Sequence, residues 1–407
     1  MRGAGEPTRE ADADRVLVVR LDSDGDVLLA GPAVRALAAA DDVARVDLLV
    51  SPAGRRAAEL LPDVGEVLVF DAPWSGYRPP AVDVPAVHAL VADLAGRAYD
   101  RCLVLTSFHQ SPLPLALLAR LAGVPFVAGT SEDYPGTLLD VRHRRPDGLH
   151  EVEAALDLVR ATGVAVEPGP HRLAVQRPLP DVTGLLAEAG LRVGSAPTTH
   201  DALADDPRRP SLVLHPGASV PARGLTPDHA AAIAGDLAGA GYDVLVTGGP
   251  AEADLTAAVV AGAGGGAGGG AVGTVVDLGG RTTLAELAAV LAGARCVVVG
   301  NTGPAHLAAA VGTPVVSLFS PVVPAERWAP WGVPSVVLGD PSAPCRGTRA
   351  RECPVPGHPC LTSVAPSQVR AAVERLTGTT TADAEPAGAV PADAEPGVGR
   401  TPAEVAR

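Results

Sequence analysis

Four stretches of this 407-residue chain combine turn residues with side chains able to do acid–base or anion chemistry. The first is Leu21-Asp22-Ser23-Asp24-Gly25-Asp26, in which Gly25 permits a tight turn and Asp26 falls at or near a helix start. A carboxylate there can accept backbone N–H bonds that keep it ionised. It then suits a general base, worth about 10²–10⁴-fold in rate; the same position also suits a plain N-cap. The second is His215-Pro216-Gly217-Ala218-Ser219 with Arg223 close behind. Gly217 lets a ligand approach the backbone, Ser219 offers a hydroxyl, and Arg223 can grip phosphate bidentately or simply sit in solvent.

The third stretch, Thr247-Gly248-Gly249-Pro250-Ala251-Glu252, has Pro near a helix start and Glu252 placed for ribose hydroxyls or for the helix dipole. The fourth is Val299-Gly300-Asn301-Thr302-Gly303-Pro304-Ala305-His306. Thr302 suits an N-cap and Pro304 opens a helix whose free N–H groups suit a diphosphate. His306 falls in the first turn of that helix. The chain has no Lys, a single Ile (Ile233) and a single Asn (Asn301), and that Asn lies here.

Each stretch must be held by something, and the pattern around them supplies it. Short apolar runs at Arg15–Leu21, Val46–Val50, Val67–Phe70, Cys102–Leu105 and Phe126–Ala128 alternate with Ala/Leu-rich helical stretches, the first over Val27–Ala40. The alternation restarts at Leu212–Leu214, Val244–Val246, Val275–Leu278, Cys296–Val299 and Val315–Leu318. Strand alternating with helix predicts α/β domains with parallel sheets. The expected organisation is a flexible leader 1–13, a first domain 14–175, a linker 176–210 with one short helix, a second domain 211–376 and a disordered tail 377–407. Ligands in open α/β sheets sit beyond the carboxyl ends of strands. One such junction falls on the first domain and three on the second, which describes a cleft between them.

Composition removes several classes. Apolar residues make up 47% of the chain, too many for a disordered protein, and a formal net charge of −14 argues against a general nucleic-acid binder. No apolar run approaches the length of a membrane span, and the acidic start MRGAGEPTREADAD lacks the core of a signal peptide. Five Cys fit a reducing compartment, so the cytoplasm is expected. Gly262–Gly270 mimics a dinucleotide fingerprint but follows helical sequence, so a surface loop is the better reading. With no G-x-G-x-x-G after any first-domain strand, a dehydrogenase is disfavoured. Phe108-His109-Gln110-Ser111 follows a strand, and Arg142-His143-Arg144-Arg145 is a basic cluster. His109, Gln110 and Arg142 are therefore candidates for acceptor contact, or for solvated loops. Cys345, Cys353, His358 and Cys360 could ligate zinc, but the spacing lacks a C-x-x-C pair, and no metal is expected.

At these residues the chain resembles glycosyltransferase family 9, the ADP-heptose:lipopolysaccharide heptosyltransferase family. VLVVRLDSDGDVLLAGPAVRAL resembles its strand–GD–helix signature, LVLHPGAS with the following Arg its PGAS segment, and VTGGPAE its Gly-rich turn. LGGRTTLAELAAVLAGARCVVVGNTGPAHLAAAVGTPVVSLFSP resembles the most diagnostic stretch, and RECPVPGHPCLTSVAPSQVRAAV has counterparts in family C-termini. The similarity runs from about Arg15 to Leu376. It implies a GT-B fold, two Rossmann-like domains facing each other over a cleft. It also implies inverting, metal-independent transfer of a heptose-like sugar from a nucleotide-diphospho-sugar, with an ADP-type preference and without a cofactor. The acceptor would be a hydroxyl of a glycan or glycolipid, with peripheral membrane contact. Asp26 maps onto the family base, and Ser219, Arg223, Gly249, Glu252, Asn301, Thr302, Gly303 and His306 onto the donor site. Two departures stand out: Arg223 replaces a Lys, and Asn301 stands where the family often has Asp. The competing classes are a nucleotide-sugar epimerase of similar architecture and a non-catalytic sugar-nucleotide-binding protein.

Overall fold

The computed structural model describes residues 13–76, 78–107, 109–191, 211–264 and 273–378. The expected leader (all but residue 13), most of the linker, most of the glycine-rich loop and nearly all of the tail lie outside the described residues. Two six-stranded sheets form the body, every pairing parallel. The first contains β1 (Asp14–Arg20), β2 (Val43–Val50), β3 (Val67–Val69), β4 (Arg101–Val104), β5 (Phe126–Thr130) and β6 (Val141–His143), in the order β3-β2-β1-β4-β5-β6. The second contains β7 (Ser211–His215), β8 (Asp243–Gly248), β9 (Val275–Gly279), β10 (Cys296–Gly300), β11 (Val315–Leu318) and β12 (Ser335–Leu338), in the order β12-β11-β10-β7-β8-β9.

The two orders are one arrangement used twice: the first strand of each sheet lies centrally, and the chain reverses direction beside it. That reversal opens a crevice at the strand ends, between β1 and β4 in one sheet and between β7 and β10 in the other. Strands covered by helices on both faces read as unbroken apolar runs. Leu17, Val18, Val297 and Val298 are accordingly fully buried. The sequence pattern located ten strands and missed β6 and β12, edge strands of three and four residues set among Arg, Pro and Gly. The first helix spans Asp24–Ala38, beginning three residues earlier than the apolar periodicity indicated. The helix Ala253–Ala263 precedes the glycine-rich loop, so no strand feeds it. Among the described residues no helix is long and apolar enough to cross a membrane.

The two sheets share a core. One cluster of buried apolar residues includes Val16, Leu28 and Leu48 from the first and Val297, Leu307 and Val315 from the second. Gln176 ties the segment between the domains to the first, its N–H donating to Leu60 O (2.7 Å) and its Nε2 to Leu61 O (2.9 Å). The helices Asp24–Ala38 and Gly303–Val311 meet at their first turns. A Cβ on Gly25 would lie 3.1 Å from the Gly303 Cα and 3.1 Å from the His306 ring, so glycine is required for this approach.

Gly25→Val is therefore expected to lower stability by about 1–3 kcal/mol through overpacking. Gly96→Ala, on a helix face with nothing within 4 Å, should raise it by about 0.5–1 kcal/mol. Urea unfolding of the two variants against the parent checks both signs.

Candidate active site

Asp26 occupies the third position of its helix, and Ser23 stands at the N-cap without capping through its side chain. The N-cap alternative for Asp26 is thus not realised; side chains, not backbone N–H groups, hold it. Arg20 Nη2 donates to Asp26 Oδ1 at 3.1 Å, Trp328 Nε1 donates to the same oxygen at 3.3 Å, and Ser23 Oγ donates to Oδ2 at 3.1 Å. The Asp26 side chain keeps 21% of its surface open, toward the cleft. Asp24 turns away from it to accept from Arg56 and the Ala57 N–H. Of the alternating carboxylates, Asp24 therefore diverges, while Asp22 and Asp26 both reach Arg20.

Arg20, at the end of β1, is 3% exposed and meets three carboxylates. Its Nε lies 2.8 Å from Asp22 Oδ2, and its Nη2 reaches Glu151 Oε2 (3.3 Å) and Ser107 Oγ (2.9 Å) as well as Asp26. Gln110 Nε2 donates to Asp22 Oδ1 at 2.6 Å, and Arg145 Nη1 to Glu151 Oε1 at 2.7 Å. Burial opposes the Arg20 charge, but Asp22, Asp26 and Glu151 outweigh it and hold the guanidinium protonated. Burial pushes Asp22 up to about 6, against the pull of Arg20. Asp26 goes the other way. Burial raises it, yet Arg20 foremost, with His306, the Trp328 indole and Arg223, leaves it below the ordinary carboxylate value. His306 is pushed down to about 4 by burial and is neutral at pH 7.

Across the cleft, an open space separates Asp26 from the turns after β7 and β10. Ser219, Arg223, Asn301, Thr302, Gly303 and His306 line that space. Four polar atoms there are buried without a hydrogen-bond partner among the described residues: Arg223 Nε, Asn301 Nδ2, Thr302 Oγ1 and His306 Nδ1. Thr302 stands at the N-cap of the Gly303–Val311 helix, but its hydroxyl does not cap it, contrary to expectation. Asn301 uses its Oδ1 to accept weakly from the Ser320 N–H, at 3.4 Å. Burial and the nearby Arg349 lower the Arg223 pKa, while Asp26 raises it. The turn carrying Arg223 is braced from behind by the Cys-containing segment: Ala222 N donates to Arg351 O, and His358 Nε2 meets Ala222 O at 3.1 Å. Gly300 leaves room for this turn, since a Cβ there would lie 2.6 Å from Arg223 O.

The remaining candidates divide. Gly249 and Glu252 sit at the neighbouring end of β8, where Glu252 Oε2 accepts from the Gly249 N–H (2.7 Å) and lies 3.7 Å from His215 Nε2. The Glu252 carboxylate rests over Gly217, whose added Cβ would come within 2.0 Å of Oε1. His109 is exposed at the cleft mouth, where partial burial first and Arg349 next push it down to about 4. Gln110 spends both ends of its amide on Asp22 and the Ser107 N–H, bracing the loop. Arg142 is away from the cleft and binds the carbonyls of Ser131 and Glu132. Cys345 and Cys360 are buried, and Cys353 Sγ meets Val355 O. Among the described residues no group of three or more His, Cys, Asp or Glu is arranged to hold a metal ion. Sequence reasoning missed Arg20, Glu151 and Trp328. A charge closing an apolar buried strand was the available signal for Arg20, because such a charge needs paired carboxylates.

Two parallel α/β domains of matching strand order, with a carboxylate on one and unpartnered donors on the other, define a two-lobed GT-B enzyme. The model of glycosyltransferase family 9 (heptosyltransferase) matches residues 87–358. The chain belongs to that family and is a glycosyltransferase. It is 25% identical to lipopolysaccharide heptosyltransferase 2 of Escherichia coli over 312 residues, 76% of this chain and 84% of that protein. The fold matches the glycosyl transferase family 9 protein of Veillonella parvula with a TM-score of 0.70 at 18% identity, over 92% of this chain and 99% of that one. It also matches E. coli ADP-heptose lps heptosyltransferase II, with a TM-score of 0.64 at 20% identity, over 89% and 98%.

Arg20→Met leaves three clustered carboxylates without their shared cation and is expected to cost about 3–5 kcal/mol near pH 7. Arg20 pulls Asp22 and Asp26 down against their burial, so without it both rise above their values in the unfolded chain and protonation favours the folded state. The deficit should then shrink as pH falls toward about 4, the reverse of ordinary acid destabilisation. Denaturant unfolding at pH 7 and pH 4.5 measures the trend; a deficit independent of pH would contradict the charge network.

Proposed function

We propose that this protein transfers a heptose-like sugar from an ADP-linked donor to a hydroxyl of a glycan or glycolipid acceptor, inverting the anomeric centre without a metal ion. The observation that carries the reading is the set of four unpartnered polar atoms facing one ionised carboxylate across a narrow cleft. A buried polar group without a partner costs about 1–3 kcal/mol. Four of them in one place are best explained by a ligand rich in acceptor oxygens, and a sugar diphosphate is one. The names of the E. coli relatives, which specify ADP-heptose and lipopolysaccharide, support the donor and acceptor classes.

In this reading the acceptor hydroxyl loses its proton to Asp26 Oδ2 as its oxygen attacks the anomeric carbon. The bond from that carbon to the diphosphate oxygen breaks on the opposite face, and ADP leaves with the electron pair. Arg223 and the helix start at Thr302–Ala305 supply positive potential to the departing oxygens. With the proton acceptor on one domain and the leaving-group seat on the other, a single displacement needs no covalent sugar–enzyme intermediate. Asn301 Nδ2 can donate to a sugar or phosphate oxygen, which an Asp could not do. Glu252, beside Gly217, is placed for ribose hydroxyls. Five cysteines without disulfides suit the cytoplasm.

Asp26→Asn is expected to lower turnover of ADP-heptose with a lipopolysaccharide acceptor by about 10²-fold or more while ADP affinity stays within about twofold. Turnover and calorimetric ADP binding, measured together, give this result; undiminished turnover would remove Asp26 from the chemistry. In thermal-shift measurements ADP should stabilise the protein more than UDP, GDP or TDP, and a preference for UDP would overturn the donor assignment. Turnover should persist in excess EDTA, with the charge of Arg223 in place.

A further inference from the structure

The chain between β11 and β12 leaves the second domain and lies against the first. Within it, Ala329 O accepts from His150 Nε2 at 2.9 Å, and the Trp331 ring stacks on His150 with centroids 4.5 Å apart. Trp331 Nε1 donates to His171 O at 3.2 Å, and Trp328 Nε1 donates to Asp26 Oδ1 at 3.3 Å. His150 is fixed in one tautomer, because its Nδ1 accepts from the Val152 N–H while its Nε2 donates to Ala329. A strap from the donor-side domain thus makes four polar or stacking contacts with the rest of the chain and ends on the carboxylate in the cleft.

We infer that Trp328 is a positioning residue for Asp26, supplied by the second domain so that the proton acceptor is set in place only when the two domains lie as close as they do here. The inference rests on the reading of Asp26 as the base. Oδ1 carries two donors, Arg20 from its own domain and Trp328 from the other. Oδ2 carries only the Ser23 hydroxyl, which can rotate, so Oδ2 is the oxygen with a lone pair for the acceptor proton. With Arg20 and the rotatable Ser23 hydroxyl alone the carboxylate can still pivot; the indole, approaching from across the cleft, fixes the plane. The other ionisable groups facing Asp26, the guanidiniums of Arg20 and Arg223 and the imidazoles of His306 and His109, stay in place when the indole is changed.

The test compares three side chains at one position. Trp328→Phe keeps an aromatic ring and removes the N–H. Trp328→His restores a ring N–H the same number of bonds from Cβ as the indole N–H. With ADP-heptose and a lipopolysaccharide acceptor, Trp328→Phe should lower kcat by about tenfold, as expected for a lost hydrogen bond to a charged group. The donor KM and calorimetric ADP affinity should stay within about twofold. Trp328→His should regain most of the loss, and Trp328→Phe should cost little more in an Asp26→Asn background. Equal losses in Phe and His, a change in KM alone, or a full tenfold loss in the Asp26→Asn background would each overturn the inference, since packing alone predicts those results. If Trp328→Phe does not fold, benzothienylalanine at 328, an indole isostere lacking the N–H, takes its place. An inactive Asp26→Asn beside an unaffected Trp328→Phe sinks this inference only; a fully active Asp26→Asn sinks the base reading.

Discussion

The site depends on how one buried guanidinium is shared. Arg20 closes an apolar strand with almost no solvent contact and is surrounded by Asp22, Asp26 and Glu151. One cation cannot balance three anions in a poorly solvated place, and the protein resolves this by treating the three differently. Asp22 is pushed up to about 6, Glu151 takes a second guanidinium from Arg145, and Asp26 is held below its ordinary value. Environments that push neighbouring carboxyl groups apart are how one fold assigns acid–base roles at a single pH. Asp26 is also the one of the three that combines a depressed pKa with a place on the cleft wall.

That arrangement is useful only if the opposite wall is close, and Gly25 helps to make it so. There the first turns of two helices approach until an added Cβ would lie 3.1 Å from the Gly303 Cα. The two walls then differ in kind. On the first domain the charged groups of the site pair with one another, Arg20 with Asp22, Asp26 and Glu151, and Arg145 with Glu151. On the second, Arg223, Asn301, Thr302 and His306 each present a buried atom with no hydrogen-bond partner among the described residues. A wall of paired charges suits a group that must keep its charge and orientation through each cycle. An unsatisfied wall suits one that binds and releases an anion, because the ligand supplies the missing partners and takes them away again.

Much of this was legible in the sequence, and the limits are physical. Ten strands announced themselves as apolar runs because both faces of a parallel sheet are covered. β6 and β12 did not: β6, Val-Arg-His, holds one apolar residue, and β12 is a four-residue edge strand closed in between Pro334 and Gly339. The four turns were found because glycine and proline mark strand-to-helix junctions, and junctions at strand ends are where α/β sheets hold ligands. Side-chain partners were harder. Thr302 suits a cap by type and stands at the N-cap, yet its hydroxyl has no partner among the described residues; the position of Asp26 fits cap or base, and three side chains rather than the backbone hold it. Propensity describes what a residue can do locally, and it cannot see a donor 302 positions away in the chain.

Long-range contacts of that kind explain the shape of the second domain's last third. The segment that carries Cys345, Cys353, His358 and Cys360 offers four metal-capable side chains in one dimension, in a spacing from which no metal is expected. In three dimensions it braces the turn that aims Arg223, with His358 on Ala222 O and the Ala222 N–H on Arg351 O. The segment before it carries Trp328 and Trp331 to the other domain. One continuous stretch thus supports the anion-binding side chain from behind and then reaches the carboxylate in front. Donor seat and proton acceptor lie on different domains, so their separation is set by domain packing; a stretch that touches both fixes that separation more directly than either sheet can.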